Sequence, residues 1–174
     1  MLIRIANEDD LPQIVEIYNQ AVDQGGATAD LAHVSVEARR PWFRDHNPAS
    51  LPIWVSETDG AISGWCSLSA YRPGRLALRH TAEISYYVHL AHRRQGVARQ
   101  LIQHAIEQCP SLNISNLMTF TLDVNKPSIL ILEEFGFSQW GHLPDIAELD
   151  GVTCGHLILG RPVAPKVDHS KRLA

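Results

Sequence analysis

Apolar and polar positions along this chain follow two different periods, and the places where the period changes divide it into helices and strands. LIRIA at 2–6 is a short β-branched run that predicts a strand. From Asn7 the period turns helical: Leu11, Ile14, Val15, Tyr18, Ala21 and Val22 share one face, Asn7 stands at the N-cap and acidic residues fill the first turn. SVEARRPWFRDH, 35–46, predicts a weaker second helix interrupted by Pro41. PIWVSE, 52–57, and AISGWCSLSAY, 61–71, flank the turn signal TDG and predict an antiparallel hairpin, and TAEISYYVHL, 81–90, a further strand. Val97, Leu101, Ile102, Ala105 and Ile106 form the apolar face of a helix over 97–108, ended by Pro110. LMTFTLDV, 117–124, reads as a strand, KPSILILEEF, 126–135, as a helix closed by Gly136, and FSQWGHL, 137–143, and VTCGHLILGR, 152–161, as closing strands. Helices alternating with strands predict an α/β (α+β) domain with a mixed sheet, one domain over 1–163 and a mobile tail over 164–174.

Composition narrows the function classes. The chain has 174 residues and a formal net charge of only −4, with no long basic block, which argues against a nucleic-acid partner. Cys66, Cys109 and Cys154 lie far apart and suggest neither a disulfide framework nor a metal motif. The nine histidines include no HExxH and no paired Cys/His cluster, so no metal is expected. The acidic opening and the lack of a long apolar run lead us to expect a soluble cytoplasmic protein without a membrane partner.

The segment with most chemistry is RRQGVA, Arg93 to Ala98, where a strand gives way to a helix. A helix start offers unpaired N–H groups and a positive dipole end to a phosphate, Gly96 permits close approach, and the arginines add charge. Neither GxxxxGK[ST] nor GxGxxG occurs, so a nucleoside-triphosphate loop and a Rossmann fingerprint are excluded. A solvated helix start remains the bland alternative.

RRQGVA resembles the R/Q-x-x-G-x-G/A loop of the GNAT superfamily of N-acetyltransferases, and NKPSILILEEFGF, 125–137, resembles that family's second signature. IYNQAV, YRPG and AEISYYV are similar to the phosphinothricin acetyltransferase-like branch. The resemblance implies a mixed, mostly antiparallel sheet of about seven strands with a central splay, flanked by about four helices. It implies acetyl-CoA as co-substrate, with Arg93, Arg94, Gln95, Gly96, Val97 and Ala98 around its pyrophosphate. Unpaired strand backbone at Tyr87, Val88 and His89 would bond the pantetheine amides. Asn125 and Ser128 would meet the coenzyme or simply cap the helix.

Glu83 is the expected catalytic base. An α-amino group titrates near about 7.7–8.0 and must lose a proton before it attacks a thioester. A carboxylate inside an apolar strand has the burial that raises its pKa toward that task, and Glu83 matches the glutamate the branch uses; a solvent-facing strand residue is the alternative. Arg72 in YRPG is placed to pair with a substrate carboxylate, unless it is an ordinary surface residue. Tyr87 would line the acceptor pocket, and because Tyr86 and Tyr87 point to opposite faces at most one of them is expected to face the acetyl group.

Two positions depart from the family. Leu132 stands where a Tyr or His commonly precedes the signature's Glu, which removes the usual proton donor to the leaving thiolate. The closing stretch ELDGVTCGHLILG lacks the branch's aromatic-x-Asp pattern. The expected activity is direct acetyl transfer in a ternary complex to the primary amine of a small molecule, an amino acid or analogue such as phosphinothricin, methionine sulfoximine or methionine sulfone. The alternatives are a polyamine or protein amine as acceptor, or a non-catalytic acyl-CoA sensor. Family analogy adds a homodimer.

Overall fold

The computed structural model describes residues 1–163, so the tail expected at 164–174 lies outside the described residues. Seven strands form one sheet in the order β1-β2-β3-β4-β5-β7-β6. They are β1 Leu2–Ile5, β2 Ile53–Thr58, β3 Ala61–Ala70, β4 Thr81–Val88, β5 Asn116–Leu122, β6 Ser138–Leu149 and β7 Val152–Pro162. The helices are α1 Leu11–Gln24, α2 Val36–Asp45, α3 Val97–Gln108 and α4 Lys126–Glu134. Only β4 and β5 run parallel; every other neighbouring pair is antiparallel.

Strand alternation divides the side chains between two cores. On one face Leu68, Ile84, Leu101, Leu117 and Leu132 pack beneath α3 and α4. On the other Val55, Ile62 and Trp65 pack against Ile14, Ile17 and Tyr18 of α1, with Trp42 of α2 at the margin. α1 and α3 each cover a sheet face with the apolar stripe read from the sequence.

Gly64 of β3 sets how closely α3 approaches. A Cβ there would stand 2.9 Å from the Tyr87 carbonyl oxygen and 2.9 Å from Val97 Cγ1, at the first residue of α3. We expect Gly64→Val to cost about 1–3 kcal/mol through overpacking, read as a lower denaturant midpoint with an unchanged slope.

Three expectations shift. Asn7 caps a 3-10 turn over Glu8–Asp10, and α1 proper starts at Leu11. Pro41 does not interrupt α2, which runs through it as a helix with no fully buried residue, where a missing hydrogen bond is tolerated. The sixth strand reaches Leu149 and turns at Asp150-Gly151, both with positive φ (49° and 78°), into β7. The strand expected over 137–143 thus continues past Leu143, with a register shift between Leu143 and Ala147 that absorbs Pro144 and Asp145.

Candidate active site

Pairing of β4 with β5 consists of Thr81 with Asn116, Ala82 with Leu117 and Glu83 with Met118, and then stops. Both strands continue, β4 to Val88 and β5 to Leu122. Between them opens a cleft of about 610 Å³, bounded by the starts of α3 and α4 and by the loop after α1. A sheet that parts in its middle leaves backbone polar groups unpaired, and these need partners.

The open backbone on β4 is not quite the set expected. The His89 N–H donates to the Ser63 carbonyl (2.9 Å), so it faces β3. Antiparallel bonding alternates, and the Tyr87 carbonyl points the same way, toward Gly64. Tyr86 and Val88 therefore turn their backbone groups into the cleft. Val88 keeps the expected geometry, whereas His89 does not: its amide is engaged and its imidazole caps the following turn by accepting from the Ala91 N–H (3.1 Å).

At one end of the cleft the chain is shaped for an anion. Arg94 (φ 59°) and Gly96 (φ 84°) both adopt left-handed backbone, and Gly96 is the N-cap of α3. The first helical bond runs from the Gln100 N–H to the Gly96 carbonyl (3.1 Å), so Val97, Ala98 and Arg99 have no intrahelical acceptor. Arg93, Arg94, Gly96, Val97 and Ala98 all border the cleft. The Arg93 guanidinium donates to the Gln24 side chain of α1. The Gln95 side chain turns away and donates to the Ala91 carbonyl (2.9 Å), bracing the loop.

Glu83 sits at the last paired position, at the root of the cleft. Burial raises its pKa above the ordinary carboxylate value, with no ion pair among the described residues to oppose it. Its cross-strand partner on the same face is Ser69, whose Oγ lies 3.2 Å from His46 Nε2. His46 is held by the Trp42 carbonyl (2.7 Å from Nδ1), and burial lowers its pKa, so at neutral pH it is uncharged.

Tyr87 shares that face, its ring 4.8 Å from Trp65 and 5.0 Å from Tyr18. Tyr86 lies on the opposite face, and its phenol is 2.7 Å from Ser128 Oγ at the start of α4. Both tyrosines border the cleft, because a gap between strands is open to both faces. The Asn125 Oδ1 accepts from the Ser128 N–H (3.4 Å), so Asn125 caps α4 while its side chain borders the cleft. Leu132 is fully buried in the core below α4.

Arg72 stands apart from the cleft lining, exposed in the loop between β3 and β4. Its guanidinium lies 5.6 Å from the Tyr71 ring, which stacks on Phe120 of the cleft wall at 6.3 Å. Sequence reasoning did not single out Tyr86, Thr119, Phe120 and Thr121 of the walls, or Gly25, Gly26 and Ala27 after α1. Tyr86 alone left a signal, an aromatic on the apolar phase of β4.

The described residues thus form a splayed mixed sheet with a helix start at one end of the gap and a half-buried carboxylate at its root. The chain belongs to the acetyltransferase (GNAT) family, whose model matches residues 11–137. It is 39% identical over 165 residues to YwnH of Bacillus subtilis (strain 168), a candidate phosphinothricin acetyltransferase, covering 94% of this chain and 100% of that one. It is 30% identical over 146 residues to the L-methionine sulfoximine/L-methionine sulfone acetyltransferase of Salmonella typhimurium, covering 84% of this chain and 85% of that one. The candidate acetyltransferase yncA of Salmonella typhimurium, solved with acetyl-CoA, superposes with a TM-score of 0.88 at 27% identity over 95% of each chain.

Proposed function

We propose that this acetyltransferase moves the acetyl group of acetyl-CoA directly to the primary amine of a small amino-acid-like acceptor of the phosphinothricin or methionine sulfoximine and sulfone type. The observation that carries the reading is the place of Glu83, a carboxylate of raised pKa at the point where the strands separate. The coenzyme pyrophosphate takes the N–H groups at the start of α3. Its pantetheine amides pair with Tyr86 and Val88 as a short pseudo-strand, and the thioester then reaches the root of the cleft. Glu83, directly or through a water, removes the ammonium proton so that a neutral amine attacks.

Direct transfer is supported by the cysteines. Cys66, Cys109 and Cys154 are all buried, and none borders the cleft, so no thiol is placed to carry an acyl intermediate. A thiol-release assay over amino acids, their analogues, polyamines and protein N-termini tests the acceptor class, with turnover expected on the analogues. Coenzyme binding without turnover on any amine would replace the reading by a sensor.

Arg72 supplies acceptor recognition in this scheme. Among the described residues no carboxylate pairs with it, and a charged hydrogen bond contributes about 1.5–3 kcal/mol. We expect Arg72→Ala to raise the acceptor KM by roughly tenfold. The acetyl-CoA KM should hold, and steady-state kinetics with each substrate varied in turn reads both.

A further inference from the structure

Direct transfer leaves one proton without a donor. When the tetrahedral intermediate collapses, the C–S bond breaks, its electron pair stays on sulfur, and a thiolate departs unless an acid meets it. We propose that Tyr86, its phenol held at the cleft by Ser128, is that acid. The inference rests on the direct-transfer reading.

The two faces of the sheet carry the argument. The starts of α3 and α4, which hold the coenzyme in this reading, lie on the face toward which Ile84 and Tyr86 point. Glu83 and Tyr87 point to the other face, where Ser69 and Trp65 are their cross-strand partners. A thioester carbonyl lying in the gap is attacked from the Glu83 side, and its sulfur, tethered to the pantetheine, leaves on the Tyr86 side. Acid and base therefore stand on opposite faces of one opening, as a transfer that must move two protons at different atoms requires.

Other donors are poorly placed. Leu132 has no proton to give and is fully buried in the core. His92 borders the cleft at its anion end, next to the α3 loop. Thr119 and Thr121 also border it, but aliphatic alcohols are far weaker acids than a phenol. Cys66, the cross-strand partner of Tyr86, is wholly buried. Tyr86 keeps its proton before the reaction because burial raises its pKa; the Ser128 hydrogen bond pulls in the opposite direction and supports the phenolate as it forms.

The protons balance. An ammonium nitrogen gives up two protons on its way to an amide: Glu83 takes the first before attack and passes it to solvent, then takes the second from the cationic nitrogen of the tetrahedral intermediate. Tyr86 Oη gives one to sulfur as the C–S bond breaks, and Ser128 Oγ–H donates to the resulting phenolate. Solvent then reprotonates Tyr86 and takes the second proton from Glu83, leaving an amide, a thiol and one proton released net.

Tyr86→Phe keeps the ring in its packing and removes only the acid. We expect its kcat to fall roughly 10- to 100-fold, with the acetyl-CoA KM within about twofold of wild type. A fluorinated tyrosine at 86, being more acidic, should bring an alkaline limb into the kcat profile that Tyr86→Phe lacks, an effect that packing alone would not produce. Undiminished kcat in Tyr86→Phe, or a rise in acetyl-CoA KM with kcat intact, would make Tyr86 a coenzyme contact and overturn the proposal. Wild-type protein that acetylates no amine would instead overturn the direct-transfer reading beneath it.

Discussion

Glu83→Gln is expected to lower kcat by about 10²- to 10⁴-fold while acetyl-CoA affinity stays within about twofold, the signature of a lost general base rather than a lost binding contact. Glu83 lies outside the residues that border the coenzyme cleft, so the amide should leave donor binding alone. Burial raises its pKa, and the sign of the pH dependence follows. Below the raised value the carboxyl holds its proton and cannot accept another, so kcat/KM falls as pH drops through it. Glu83→Gln should erase that acid limb.

Stability should move in the opposite direction. In the unfolded chain a glutamate titrates near about 4.3, whereas folded Glu83 keeps its proton to higher pH. Folding thus takes up a proton between the two values, and Glu83 costs stability increasingly as pH rises through that window. At neutral pH the uncharged Gln should unfold at a higher denaturant concentration than wild type. A variant that is less active and more stable is the expected mark of a group kept in an unfavourable place for chemistry. Near-wild-type turnover with the acid limb intact would remove Glu83 from the mechanism.

The order of helices and strands was legible where an element carries an apolar stripe of one period, as in the Leu101, Ile102 and Ala105 face of α3. The turn into α3 was legible because Gly96 and its arginines mark where a strand gives way to a helix. The place where β4 leaves β5 was not readable from periodicity. Nothing in the pattern of TAEISYYV or NLMTFTL says that pairing stops after Glu83 and Met118. The splay was expected from family resemblance alone. For the same reason Tyr87 and His89 were counted with Val88 as open backbone: only the bond from His89 to Ser63 shows which β4 amides face β3. Tyr86 was passed over because its partner, Ser128, is 42 positions away and comes near only through the sheet and α4. Acceptor recognition stayed least legible, since it depends on exposed loops such as that of Arg72, whose geometry no period encodes.

Gly96→Val is expected to weaken acetyl-CoA binding by about 10- to 100-fold with kcat at saturating coenzyme near wild type. The cause is conformation rather than space, because an added Cβ would meet nothing within 4 Å. At φ 84°, however, a β-branched residue is strained by about 1–3 kcal/mol. Relief requires rotating Gly96 toward negative φ, which swings the N–H of Val97 away from the shared anion position. The cost thus falls on the site and not on the core, and Gly96→Asn, which tolerates left-handed backbone, should lose much less. Titration calorimetry with acetyl-CoA ranks the three proteins. The order wild type, Asn, Val at comparable thermal stability places the pyrophosphate at this helix start, while equal affinities would move it elsewhere along the cleft.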